Sequence, residues 1–125
     1  MLVDRQCSDG GWNYGNTLVL DQQLQSFPGP TAWAVMTLPS GPAVDRGLSA
    51  LAFVGQRPSS TSLALTILAH AAHGAELDRW VPPLLERQAS DGSFGGGRVD
   101  RTALAVAALR CAQGGPHPFT GPVHP

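Results

Sequence analysis

Three stretches of this chain are apolar at nearly every position and share one layout. They run from Thr31 to Leu38, from Thr61 to Leu68 and from Thr102 to Leu109, each with Thr first and Leu seven residues later. Ala and Leu, both strong helix formers, dominate them. A helix that is apolar all round is buried on most of its sides, so the pattern predicts three core helices. A second pattern alternates with the first. The segments from Val44 to Gln56 and from Leu77 to Gln88 both open apolar-Asp-Arg and close on Gln. They predict two covering helices, with Asp45 and Asp78 placed to cap the N-termini. Pro82 and Pro83 suit a first turn and not an interior, so the regular part of the second covering helix is expected to begin near them. Leu2 to Gln6 reads as the last turn of a further covering helix.

The loops between these helices carry a repeated phrase. Arg5-Gln6-Cys7-Ser8-Asp9-Gly10-Gly11-Trp12 returns as Arg87-Gln88-Ala89-Ser90-Asp91-Gly92-Ser93-Phe94. Each copy precedes a Thr-led apolar stretch, so the repeating unit is a helix ending in Gln, a Gly-rich loop and an apolar helix. Thr31 and Thr61 are 30 residues apart, Thr61 and Thr102 are 41 apart, and the variation falls in the loops. Insertions are tolerated there because backbone can stay solvated. The expected fold is all-α with about five helices over residues 1–112. Residues 113–125, rich in Gly and Pro, are expected to form an extended or mobile tail.

Composition narrows the function classes. One domain's worth of chain, 125 residues, is 42% hydrophobic with a net charge of −1. That balance supplies a core and gives no basic stripe for a nucleic-acid partner. All eight basic residues are Arg, which removes lysine chemistry: no Schiff base and no P-loop lysine. Cys7 and Cys111 form no CxxC and no disulfide framework. No apolar run reaches a membrane span's length and no signal peptide is visible, so a reducing, cytoplasmic setting is expected.

The phrase Gln6-x-x-Asp9-Gly-Gly-Trp12 and its copy Gln88-x-x-Asp91-Gly-Ser-Phe94, each followed by a Thr-led helix, resemble the repeats of protein prenyltransferase β-subunits and of squalene and oxidosqualene cyclases. The resemblance covers about residues 1–112. It implies an α/α toroid in which the Thr-led helices are inner and the Gln-ended ones outer, here a partial ring. It also implies that Gln6, Asp9, Trp12, Gln88, Asp91 and Phe94 are scaffold, the Gln satisfying backbone groups left open at a helix end and the ring packing over it.

The family's catalytic equipment is then testable residue by residue. Squalene-type cyclases protonate their substrate with an Asp-x-Asp-Asp run, and this chain has no two Asp residues adjacent or separated by one. Prenyltransferases hold zinc with Asp, Cys and a His that directly precedes the inner-helix Thr. Here Arg101 precedes Thr102, and a protonated guanidinium cannot ligate zinc. His70 and His73 have an i, i+3 spacing that can share one helix face, but no third ligand accompanies them; a histidine pair favoured by a helix C-terminus explains them as well. No metal, cofactor or catalytic residue is therefore expected.

The inner-helix N-termini form the one candidate site. Asp100, Arg101, Trp33 and Ser60 are expected near one mouth of the ring, where helix N-termini and Arg101 favour an anion. An isoprenoid diphosphate or another apolar small molecule is the expected ligand. Asp100 as a helix cap beside a solvated Arg101 is the simpler alternative. A closed ring needs many more helices than five, so the missing remainder of a ring or further copies of the chain are the expected partners. Two functions remain: a catalytically incomplete binding or structural module, or a fragment of a terpenoid cyclase or prenyl-transferring enzyme whose acid or metal ligands lie in missing sequence.

Overall fold

The computed structural model describes residues 6, 7, 10–12, 18, 19, 22, 23, 28–52 and 59–119. The chain is all-α: five helices carry the described regular structure, namely α1 (Pro28–Thr37), α2 (Pro42–Leu51), α3 (Ser60–Ala72), α4 (Val81–Leu85) and α5 (Val99–Ala112). The extended backbone is a two-residue antiparallel pairing of β1 (Leu18–Val19) with β2 (Gln22–Gln23), inside the long loop before α1. The chain divides into two compact units, Met1–Gln56 and Arg57–Pro125. No helix among the described residues is long and apolar enough to cross a membrane.

The N-terminal unit is built on α1 and α2. Thr31, Ala32, Ala34 and Val35 of α1 are buried, as are Val44, Gly47 and Leu51 of α2. Close packing needs Gly47: a Cβ there would come within 2.7 Å of Val35 Cγ2 and 2.9 Å of Trp12 Cζ3. The helix starts differ from those expected. α1 begins at Pro28, ahead of Thr31, because proline's fixed φ suits a first turn. α2 is capped by Gly41 with Pro42 at its start, which leaves Asp45 in the first turn and not at the cap. Asp45 still favours the positive end of the helix dipole there.

In the C-terminal unit α3 is the central rod. Every residue from Leu63 to His70 is buried, with α5 and α4 packed against it. Its N-terminus is capped by Ser59, whose Oγ accepts from Ser62 N–H at 3.0 Å. The covering helix α4 is only five residues long, with Trp80 and not Asp78 at its cap position. Pro82 and Pro83 stand in its first turn, where the missing N–H groups have no intrahelical acceptor to lose. α5 departs from the all-round burial expected of it. Ala105 and Ala108 are buried, whereas Val99 is 84% and Val106 41% exposed; α3, α4 and the Gly95–Gly97 turn are the described elements that pack against it.

Part of the tail is tied to the helices by hydrogen bonds. Gly115 N–H bonds Arg110 C=O at 2.9 Å. His117 is buried, its Nε2 donating to Leu68 C=O at 2.8 Å while Nδ1 accepts from Phe119 N–H at 3.1 Å. This pairing fixes the ring as the Nε2–H tautomer. Residues 120–125, with His124, lie outside the described residues.

His70 is also a core residue and not half of a ligand pair. Its Nδ1–H points to Thr66 C=O at 2.8 Å and its ring lies 5.4 Å from that of Trp80. Burial holds its pKa below the ordinary value of 6.5, against the hydrogen bond to Thr66 that raises it. A folded-state pKa below the unfolded one means neutral His70 contributes stability above pH 6.5, and that stability is lost as pH falls below it. The urea midpoint of the protein is expected to drop between pH 7.5 and pH 5.5, and to drop less in a His70→Asn variant. An equal drop in both would remove His70 from the cause.

Candidate functional site

The two repeated loops fold into the same hydrogen-bonded form. Gln6 Nε2 donates to Gly10 C=O at 2.6 Å, and Gln88 Nε2 donates to Gly92 C=O at 2.9 Å. Cys7 N–H bonds Gly11 C=O at 2.7 Å, and Ala89 N–H bonds Ser93 C=O at 2.8 Å. Thr31 Oγ1 accepts from Trp12 N–H at 2.8 Å and donates to Trp12 C=O at 3.1 Å. Thr102 Oγ1 does the same for Phe94, at 3.0 and 3.2 Å. One hydroxyl thus satisfies both backbone groups of each buried aromatic residue, which explains why a Thr begins each of these two apolar stretches. Asp91 sits on the second loop's surface, its Oδ1 accepting from Ser93 N–H and Oγ–H. Those bonds, the side-chain one first, hold its carboxyl below the usual range. Asp9 lies outside the described residues.

The second loop also shapes a cavity of about 380 Å³ lined by Ser59, Ser60, Thr61, Arg87, Gly95 and Arg101. Three elements meet there. The N-terminus of α3 contributes Ser60 and Thr61, whose amides precede the first acceptors of the helix. Arg101 stands in the first turn of α5, and its stem lies over Gly95, where a Cβ would overlap it. Gly95 is free to sit there because φ is +62°. Arg87 stands two residues after the end of α4 and lines the cavity at the head of the repeated phrase.

Arg87 and Arg101 are exposed at this cavity, whereas Ser60 is buried. Ser60 is only 7% exposed. Among the described residues its hydroxyl has no hydrogen-bond partner, and neither Arg87 nor Arg101 has a side-chain hydrogen bond or ion pair. Two guanidinium groups, a buried hydroxyl and a helix N-terminus therefore face one space, an arrangement suited to a phosphate or carboxylate.

The expected site is gathered in part. Arg101 and Ser60 share the cavity. Asp100 does not line it: its carboxylate pairs with exposed Arg98, Nε to Oδ1 at 3.2 Å, and accepts from Arg101 N–H at 2.9 Å. The Arg98 bonds, then the Arg101 amide, keep Asp100 below the usual carboxylate range. Trp33 belongs to α1 in the N-terminal unit and is 44% exposed. Arg87, which was not among the expected residues, also lines the cavity, and its position at the head of a repeated phrase was the available signal. Asp91 and Asp100, both held ionised, are unsuited to donate a proton near neutral pH. Among the described residues no group of three His, Cys, Asp or Glu side chains is placed to hold a metal ion. No protein-family model, curated protein or solved structure matches this chain.

Proposed function

We propose that this chain is a repeat module of the prenyltransferase and terpene-cyclase type, with α1, α3 and α5 in the inner role and α2 and α4 in the outer one. It acts as a binding module and not as a complete catalyst, and its ligand carries a compact anion such as the diphosphate of an isoprenoid. The observation that carries this reading is the buried Ser60 hydroxyl, sharing a cavity at the α3 N-terminus with Arg87 and Arg101, none of the three side chains having a partner among the described residues. Leaving the buried Ser60 hydroxyl unpaired costs stability, which a bound anion offsets, while the exposed Arg87 and Arg101 supply charge. The matched Gln–aromatic loops support the repeat assignment, because both copies close through the same atoms. An apolar groove of about 430 Å³, lined by Val81, Pro82, Leu85 and Leu109 among others, gives the same unit a surface for hydrocarbon.

Calorimetric titration with farnesyl diphosphate, inorganic pyrophosphate and farnesol tests the reading. Both diphosphates are expected to bind and farnesol to bind more weakly. Arg101→Ala and Arg87→Ala should each weaken diphosphate binding by about tenfold or more, one charge-assisted contact being lost in each. Absence of heat with either diphosphate, or binding unchanged in both variants, overturns the anion site.

A further inference from the structure

The second repeated loop and the cavity share one stretch of backbone. The Thr102 hydroxyl holds the N–H and C=O of Phe94, so the residue after Phe94 is carried against the residue before Thr102. Those residues are Gly95 and Arg101, and both line the cavity. A Cβ at Gly95 would lie 2.6 Å from Arg101 Cβ and would also meet Cγ and Cδ. Rotating the arginine side chain does not move its Cβ, so only a shift of the loop or of the first turn of α5 would relieve that overlap.

The first copy of the loop has the Thr clamp and lacks this pair. Thr31 holds Trp12 in the same way, but Pro30 stands where the second copy has Arg101, and Asn13 where it has Gly95. The repeated scaffold therefore does not account for the pair. Positive φ does not account for it either. Gly96 shares a positive φ, +74°, yet a Cβ there would meet nothing within 4 Å. Among the described glycines of this loop, 92 and 95–97, only Gly95 stands against α5.

We propose that Gly95 is a positioning residue for the anion site: its missing side chain lets the Arg101 stem lie across the loop, which holds the guanidinium at the cavity that Arg87 and Ser60 also line. The inference rests on the anion reading of that cavity and adds the residue that aims its charge. Arg101 is exposed and has no side-chain hydrogen bond or ion pair among the described residues, so contact along its stem is what restrains it. An arginine restrained in this way gives up less freedom when an anion binds.

The test reads the full chain first without ligand and then with inorganic pyrophosphate. Nuclear Overhauser contacts from the Gly95 Hα protons to the Arg101 Hβ and Hδ protons are expected in the unchanged chain, and they require no variant to fold. In calorimetric titration, Gly95→Ala is expected to weaken pyrophosphate binding by about tenfold, as much as Arg101→Ala does. Added to Arg101→Ala it should change affinity by less than about twofold, because the group it acts through is gone, whereas added to Arg87→Ala it should keep its full effect. Gly96→Ala carries the same positive-φ strain with no atom to meet, so it should leave affinity within about twofold. Missing Overhauser contacts, an equal loss from Gly96→Ala, or a full tenfold effect of Gly95→Ala on the Arg101→Ala chain would each overturn the role of Gly95. Absence of pyrophosphate heat from the unchanged chain would overturn the anion reading, and the proposal with it, whatever the Overhauser contacts show.

Discussion

Phe94→Ala is expected to lower the unfolding free energy by about 3–5 kcal/mol, the cost of emptying a fully buried aromatic site. Phe94 is 1% exposed and is the largest of the fully buried side chains. Its ring is held from two directions: by packing, and by the Thr102 hydroxyl that serves its own backbone N–H and C=O. Thr102→Val keeps the shape of that support but leaves both backbone groups without their partner, at a cost of about 1–3 kcal/mol. Because the two substitutions strike one arrangement, the double variant should cost less than the sum by at least about 0.5 kcal/mol. Urea unfolding followed by far-UV circular dichroism measures all three. A Phe94→Ala loss under about 1 kcal/mol would show that the second repeated loop does not hold the unit together.

That loop shows how far residues alone could carry the reading. The phrase Gln-x-x-Asp-Gly-x-aromatic was legible because its bonds are short-range: Gln to a carbonyl four residues on, and Thr to the aromatic residue at the other end of the same loop. The three apolar stretches were legible as helices because Ala and Leu favour helix and no proline interrupts them. Features set by distant parts of the chain were not legible. The partner of His117 is a carbonyl 49 residues away, and nothing in a Pro/Gly-rich tail announces it. Helix starts moved because proline and glycine, not Asp45 or Asp78, define where α2 and α4 begin. Half of the candidate site shared this limit. Arg101 and Ser60 stand in the first turns of their helices, so their proximity followed from the repeat. Arg87 joins them across the loop from α4 to α5, which turns over four glycines with positive φ. Asp100 was misplaced by its neighbour: Arg98, two residues before it, takes the carboxylate.

Ile67→Ala is expected to cost about 2–5 kcal/mol, whereas Val106→Ala should cost less than about 1 kcal/mol. Both remove aliphatic groups from apolar helices that look alike in sequence. Ile67 is completely buried in α3, with α4 and α5 packed on that helix. Truncation there leaves a cavity that rigid neighbours cannot fill, so a loss of packing adds to the lost transfer energy. Val106 is 41% exposed on the side of α5 away from its neighbours, so truncation forfeits few contacts. The ratio of the two measured costs therefore reports which apolar helix is central and which stands at an edge. Equal, large losses would mean that the open side of α5 is covered in solution. A small loss at Ile67 would mean that α3 is not the rod on which the C-terminal unit is built.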